Sequence, residues 1–173
     1  VYKRQLAIFR DPRQAMTKYI EGYRSGDTRS SLEALRYAAD GGEALARWKL
    51  GSMYAQGDGV PRDDLKAYHY FQQIIDAYDE ANPNPRERGV VASAFVAVGA
   101  YALNGKGKGI ERDTARAFEM FSYAATEFAD MHAQYNLGLM YIEGSGVTKD
   151  VRRGARWLRL AADKQHIESQ AVL

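Results

Sequence analysis

The chain has 173 residues, 46% of them apolar and 27% charged, a composition that excludes a disordered polymer and suits one globular domain of ordinary size. The 24 Lys and Arg against 22 Asp and Glu leave a formal net charge of +2, short of the basic excess expected of a nucleic-acid-binding protein. Cysteine is absent, which removes disulfides, thiolate metal sites and cysteine nucleophiles together, and the longest apolar run, Val90 to Ala102, is too short for a membrane span.

Residues 1–10 show no helical period and are read as an N-terminal tail that need not be native. Residues 11–42 then carry a degenerate helical hairpin, with Asp27 at the start of its second helix and Leu32, Leu35, Ala38 and Ala39 on the buried side. A clearer unit follows over 43–80. Its first helix sets Ala46, Leu50 and Tyr54 at i, i+4 and i+8, with Gly51 beside them. Gly57-Asp58-Gly59 supplies a chain reversal, and Val60, with Ile110 and Val147 at the matching places further on, is expected to plug the loop into the core. Asp63 opens a second helix that is expected to bury Ala67, Tyr70, Phe71 and Ile74. Between Asp76 and Val90, Asn82-Pro83-Asn84-Pro85 cannot continue a helix and predicts a connector.

The unit recurs over 90–129 and 130–166. The copy over 130–166 matches the unit over 43–80 at a constant offset of 87 residues: Ala133, Leu137, Gly138, Tyr141, Gly144, Gly146, Val147, Asp150, Gly154 and Trp157. The middle copy is weaker, with Ala94, Val98, Gly99, Gly105, Gly107, Ile110, Asp113, Ala117 and Met120, two extra loop residues, and Ala102 where the others have tyrosine. Its second helix is expected to bury Phe118, Phe121 and Ala125; that of the last copy, Trp157, Leu158 and Ala161. Residues 167–173 restart the unit and stop one residue before its glycine. A glycine inside a helix costs about 1 kcal/mol relative to alanine. Three copies nevertheless keep one, at Gly51, Gly99 and Gly138, which predicts a paired helix so close that a Cβ would collide. Asp63, Asp113 and Asp150, fixed at the second-helix starts, are expected to be caps rather than catalytic carboxylates. One hairpin cannot hide its apolar face alone, but stacked hairpins can. The predicted fold is therefore all-α, an α-solenoid of about four antiparallel helical hairpins.

No catalytic constellation appears. His69, His132 and His166 lie more than 30 residues apart with no metal-ligand spacing, and no nucleophile elbow is present. Gly105-Lys106-Gly107-Lys108-Gly109 lacks the phosphate-loop form and reads as a lengthened interhelical loop. Arg152, Arg153, Arg156 and Arg159 read as a solvated helix face. No cofactor and no metal are expected. The functional surface is expected on the first helices, at positions spaced i, i+3/i+4 off the apolar stripe. These are Leu45, Trp48, Ser52 and Gln56; then Ser93, Val96, Ala100 and Asn104; then His132, Tyr135, Leu139 and Glu143. Trp48 and Tyr135 hold equivalent slots and suit aromatic anchors for a protein partner, or alternatively pack between hairpins.

The string Ala-x-x-x-Leu-Gly-x-x-Tyr-x-x-Gly-x-Gly-Val-x-x-Asp, present from Ala46 to Asp63 and from Ala133 to Asp150, resembles the Sel1-like repeat, a relative of the tetratricopeptide repeat. More narrowly, the stretches 31–40, 48–60, 91–99 and 121–125 resemble the ExoR-type negative regulators of exopolysaccharide production of alphaproteobacteria. That resemblance implies a periplasmic repeat protein, not an enzyme, that binds and represses a membrane sensor histidine kinase in two-component signalling. From the charge balance and the short apolar run, neither nucleic-acid binding nor membrane insertion is expected. A generic Sel1-repeat adaptor in envelope assembly or secretion is the alternative.

Overall fold

The computed structural model describes residues 11–106 and 108–164. The tail 1–10, Gly107, His166 and the restarted unit 167–173 lie outside the described residues. Within them the chain forms eight helices and no strand: α1 (Pro12–Ser25), α2 (Thr28–Asp40), α3 (Ala44–Gln56), α4 (Asp64–Asp76), α5 (Arg88–Asn104), α6 (Thr114–Glu127), α7 (Met131–Glu143) and α8 (Val151–Asp163). They fall into two compact units, Val1–Val90 and Val91–Leu173.

In the first unit, α1 and α2 make one hairpin and α3 and α4 the next. The Asp11 carboxylate accepts the Gln14 backbone N–H at 2.8 Å, Pro12 occupies the first turn, and Gly26 closes α1 with φ +81°. Asp27 caps α2 by accepting from the Ser30 N–H at 3.2 Å. The core joins Ala15 and Tyr19 of α1, Leu35 and Ala38 of α2, Leu50 of α3, and Phe71 and Ile74 of α4. Leu32 and Tyr70, expected inside, are only half-buried; Tyr70 instead stacks on Tyr54, with ring centroids 6.0 Å apart. The chain leaves helix at Asp76 and re-enters it at Arg88, which bears out the Asn-Pro-Asn-Pro reading. Within that connector the Asp79 carboxylate accepts the Ala81 and Asn82 backbone N–H groups at 3.0 and 3.3 Å.

In the second unit, α5 and α6 form one hairpin and α7 and α8 the other. The core is built on Val91, Phe95 and Val98 of α5, Phe121 of α6, Leu137 and Met140 of α7, and Leu158 of α8. Phe118, Val147 and Trp157 were expected inside but are half-buried. Phe118 meets Tyr141 of the next hairpin edge-on at 5.5 Å, while Met120 and Ala124 take the inward positions of α6.

The three glycine-bearing hairpins share one aspartate anchor at the start of the second helix. The second-helix aspartate caps the next turn through its side chain, accepting from the N–H of Lys66 (3.0 Å), Arg116 (2.9 Å) and Arg153 (2.9 Å). Its own N–H returns to the first helix, from Asp63 to the Tyr54 carbonyl (2.9 Å), Asp113 to Ala102 (2.8 Å) and Asp150 to Tyr141 (2.8 Å). One residue thereby satisfies groups at both ends of the loop, and truncating Asp113 to alanine is expected to cost about 1 kcal/mol in chemical denaturation.

A backbone strain marks the α6–α7 junction. Ala129 has φ +51°, the sole positive φ of a non-glycine among the described residues, and its carbonyl accepts the Lys164 ammonium at 2.5 Å. An L-residue in this region costs about 1–2 kcal/mol, and glycine removes the Cβ clash. Ala129→Gly is therefore expected to raise the denaturation midpoint, by a net of about 1 kcal/mol, with an unchanged dependence on denaturant.

Candidate functional site

Close helix pairing creates the hairpins that present any surface here. A Cβ on Gly51 would lie 2.5 Å from the Phe71 ring, and one on Gly99 2.9 Å from the Phe121 ring. At Gly138 it would stand 2.9 Å from Leu158 Cγ and 3.0 Å from the Gly154 carbonyl oxygen. The close approach predicted from the repeated glycine is thus present in all three copies. The copies solve it differently: Phe71 and Phe121 pair with Ala67 and Ala117, whereas the smaller Leu158 pairs with Gly154. Losing ring volume in the last copy accompanies direct backbone contact between α7 and α8.

In the first unit, the proposed binding slots run along α3. Leu45 is 49% exposed, Gln56 is exposed, and Trp48 and Ser52 are half-buried. The Trp48 ring lies 4.9 Å from Phe71, so part of its surface is committed to the same hairpin that Gly51 holds shut. In the second unit, Ser93, Val96 and Ala100 are half-buried on α5, and Asn104 is exposed with its amide donating to the Ala100 carbonyl at 2.8 Å. On α7, His132 and Glu143 are exposed and Tyr135 and Leu139 are half-buried. None of the twelve residues is buried.

Sequence reasoning missed a repeated cation over the first-helix tyrosine. Lys66 Nζ lies 5.2 Å from the Tyr54 ring centroid, and the Arg153 guanidinium 5.3 Å from that of Tyr141. Arg153 also donates to the Tyr141 hydroxyl at 3.4 Å, and this bond, ahead of the Tyr141 and Asp150 charges, raises its pKa. The signal was available, since the residue three after each capping aspartate is Lys66, Arg116 or Arg153. In the connector, the Asn82 amide, then the backbone N–H groups of Ala81 and Asn82, hold the exposed Asp79 carboxyl below its ordinary range. A depressed carboxyl stabilises its turn above the ordinary Asp pKa and loses that effect as pH falls through the lowered value. Burial raises the Tyr70 hydroxyl pKa, with smaller contributions from Tyr54 and Asp40.

Among the described residues, no group of three or more His, Cys, Asp or Glu is placed to hold a metal ion. No described helix is long and apolar enough to cross a membrane.

The family model of the Sel1 repeat matches residues 44–79, 92–127 and 132–166, one match on each glycine-bearing hairpin. The chain is 31% identical over 154 residues to the exopolysaccharide production negative regulator of Rhizobium meliloti (strain 1021), covering 88% of this chain and 57% of that protein. It is 30% identical over 154 residues to the protein of the same name from Rhizobium leguminosarum bv. viciae, with the same coverage of 88% and 57%. It is also 32% identical over 129 residues to HRD3B, an ERAD-associated E3 ubiquitin-protein ligase component of Arabidopsis thaliana, covering 73% of this chain and 18% of that one. The chain thus spans little more than half the length of the two bacterial regulators.

Among solved structures, a protective antigen of uropathogenic Escherichia coli displaying an SLR fold superposes with TM-score 0.76 at 25% identity, over 96% of this chain and 33% of that one. A Sel1 repeat protein from Oxalobacter formigenes gives TM-score 0.63 at 25% identity, over 80% and 93%. The Helicobacter pylori cysteine rich protein B gives 0.56 at 16% identity, over 82% and 96%, a likeness of fold alone. With eight described helices and no described strand, the fold class is the all-α repeat solenoid that the sequence predicts.

Proposed function

Because the chain belongs to the Sel1-repeat family, we propose that it is a non-enzymatic protein-binding repeat array and acts as a periplasmic negative regulator of exopolysaccharide production. The observation that carries this reading is the identity to two regulators of that name, which runs over 88% of the chain and so exceeds the repeat consensus alone. The partner in this proposal is the periplasmic domain of a sensor histidine kinase. Repression follows if the regulator binds the kinase's inactive state more tightly than its active one; the ratio of those affinities sets the shift, and equal affinity would shift nothing.

The first-helix slots would supply the contact, with Trp48 and Tyr135 as aromatic anchors. Trp48→Ala and Tyr135→Ala are expected to weaken binding to the purified sensor domain at least tenfold. Since Trp48 also packs on Phe71, Leu45→Glu at an exposed position serves as the control that leaves the hairpin intact. Full affinity in Leu45→Glu and Tyr135→Ala, with helicity unchanged, would remove these slots from the contact.

A second reading, a generic adaptor in envelope assembly or secretion, draws support from the 32% identity to a ubiquitin-ligase component, a repeat protein named for an unrelated assembly. Capture of secretion or assembly proteins, with no retention of the sensor domain, would favour it.

A further inference from the structure

The charge of this nearly neutral chain is unevenly placed. From Lys149 to Lys164 it carries six cations against two carboxylates, and the remainder is slightly acidic. On α8, Arg153 is matched by Asp150 at 3.8 Å. Arg152, Arg156 and Arg159 are exposed and form no ion pair among the described residues. The same helix exposes apolar surface, with Leu160 at 47%. Tyr141, Arg153, Arg156, Trp157 and Leu160 line a hollow of about 380 Å³.

Trp157 occupies the repeat position of Tyr70, which stacks on Tyr54, and of Met120, which is buried. In the last copy the indole is half-buried and makes no ring contact with a described residue, and Arg153 lies over Tyr141. An apolar floor is therefore rimmed by the Arg153 guanidinium and the unmatched one of Arg156, with Arg152 and Arg159 exposed on the same helix.

We propose that this face of α8 docks an acidic protein segment that inserts a bulky apolar side chain between flanking carboxylates. Arginine and tryptophan are the side chains that anchor interfaces, and rim charges select and steer the partner. A nucleic acid is disfavoured: Leu160 has no complement in phosphate, and the chain as a whole supplies no polyanion-attracting field. The face belongs to a second helix of its hairpin, whereas the proposed kinase contact uses first-helix slots, so the two readings fail separately.

The test uses the full chain carrying Trp48→Phe, which leaves Trp157 as the sole tryptophan. The probe is a 14-residue amphipathic peptide of glutamate and leucine with one central phenylalanine, beside the same peptide with lysine for glutamate. The acidic peptide is expected to shift Trp157 emission saturably, and the basic one to leave it unchanged. Arg156→Glu combined with Arg159→Glu, both at exposed positions, is expected to weaken acidic-peptide binding at least tenfold without loss of helicity. The proposal is overturned by no saturable shift at low salt, or by equal binding to the charge-reversed variant. It is equally overturned if phosphatidylglycerol vesicles or a single-stranded oligonucleotide bind more tightly than the peptide. Tenfold tighter binding after removal of residues 165–173 would identify the chain's own end as the occupant and overturn it too.

Discussion

Phe121→Ala is expected to destabilise the protein by about 3–5 kcal/mol, the range for removing a buried aromatic ring. Phe121 is fully buried, and its ring lies against Gly99, the helix position that lacks a Cβ. Nothing on that side of α5 can move in to fill the space, so the upper half of the range applies. Since natural domains hold only about 5–15 kcal/mol in all, the variant approaches the limit of folding. Phe121→Leu makes the mechanism specific. Leu158 stands at the same repeat position in the last copy, and the smaller change is expected to cost about 1.5 kcal/mol or less. Urea denaturation of both variants followed by circular dichroism measures the difference; equal losses would mean that the ring is not what closes the hairpin.

Gly154→Ala is the second large effect, and its sign is the informative part. In an open helix the substitution stabilises by about 1 kcal/mol. Here the new Cβ would lie 2.6 Å from the Gly138 carbonyl oxygen and 2.6 Å from Ile142 Cγ1. A backbone carbonyl cannot rotate away as a side chain can, so α7 and α8 must separate, and overpacking of this kind costs about 1–3 kcal/mol. The net expectation is a loss of about 1 kcal/mol, up to about 2 where the helices cannot separate. Gly89→Ala is the matched control: it is exposed in the first turn of α5, and a Cβ there meets nothing within 4 Å. It should be neutral or stabilise by up to about 1 kcal/mol. Opposite signs in thermal unfolding support close approach at Gly154; stabilisation by both substitutions would refute it.

Much of the fold was legible because the repeats report on one another. Gly51, Gly99 and Gly138 share a position that costs helix stability, and only packing explains the coincidence. Asp63, Asp113 and Asp150 recur at helix starts, and each proves to be a cap. The depth of individual side chains was less legible. Helical period gives the face of α4, α6 and α8 that turns inward, but Tyr70, Phe118 and Trp157 sit at its edge, where a neighbouring ring or cation decides burial. Asp130 escaped notice as the cap of α7 because its counterpart before α3 is Glu43, which makes no capping bond.

The candidate surface was legible only as a face. Spacing along α3 and α7 separates outward positions from the stripe at Leu50 and Leu137, yet it could not show that Trp48 leans on Phe71. Nor could spacing distinguish a solvated arginine row on α8 from one that rims a hollow beside Trp157. That distinction depends on Tyr141, ten residues before Val151 in the chain and on the facing helix.

Exopolysaccharide yield after deletion of the gene in its native host tests the central claim most directly. A negative regulator should give overproduction on deletion, reversed by the re-expressed intact protein but not by a version carrying Leu45→Glu and Tyr135→Ala. Unchanged or reduced polysaccharide in the deletion strain would contradict a repressor.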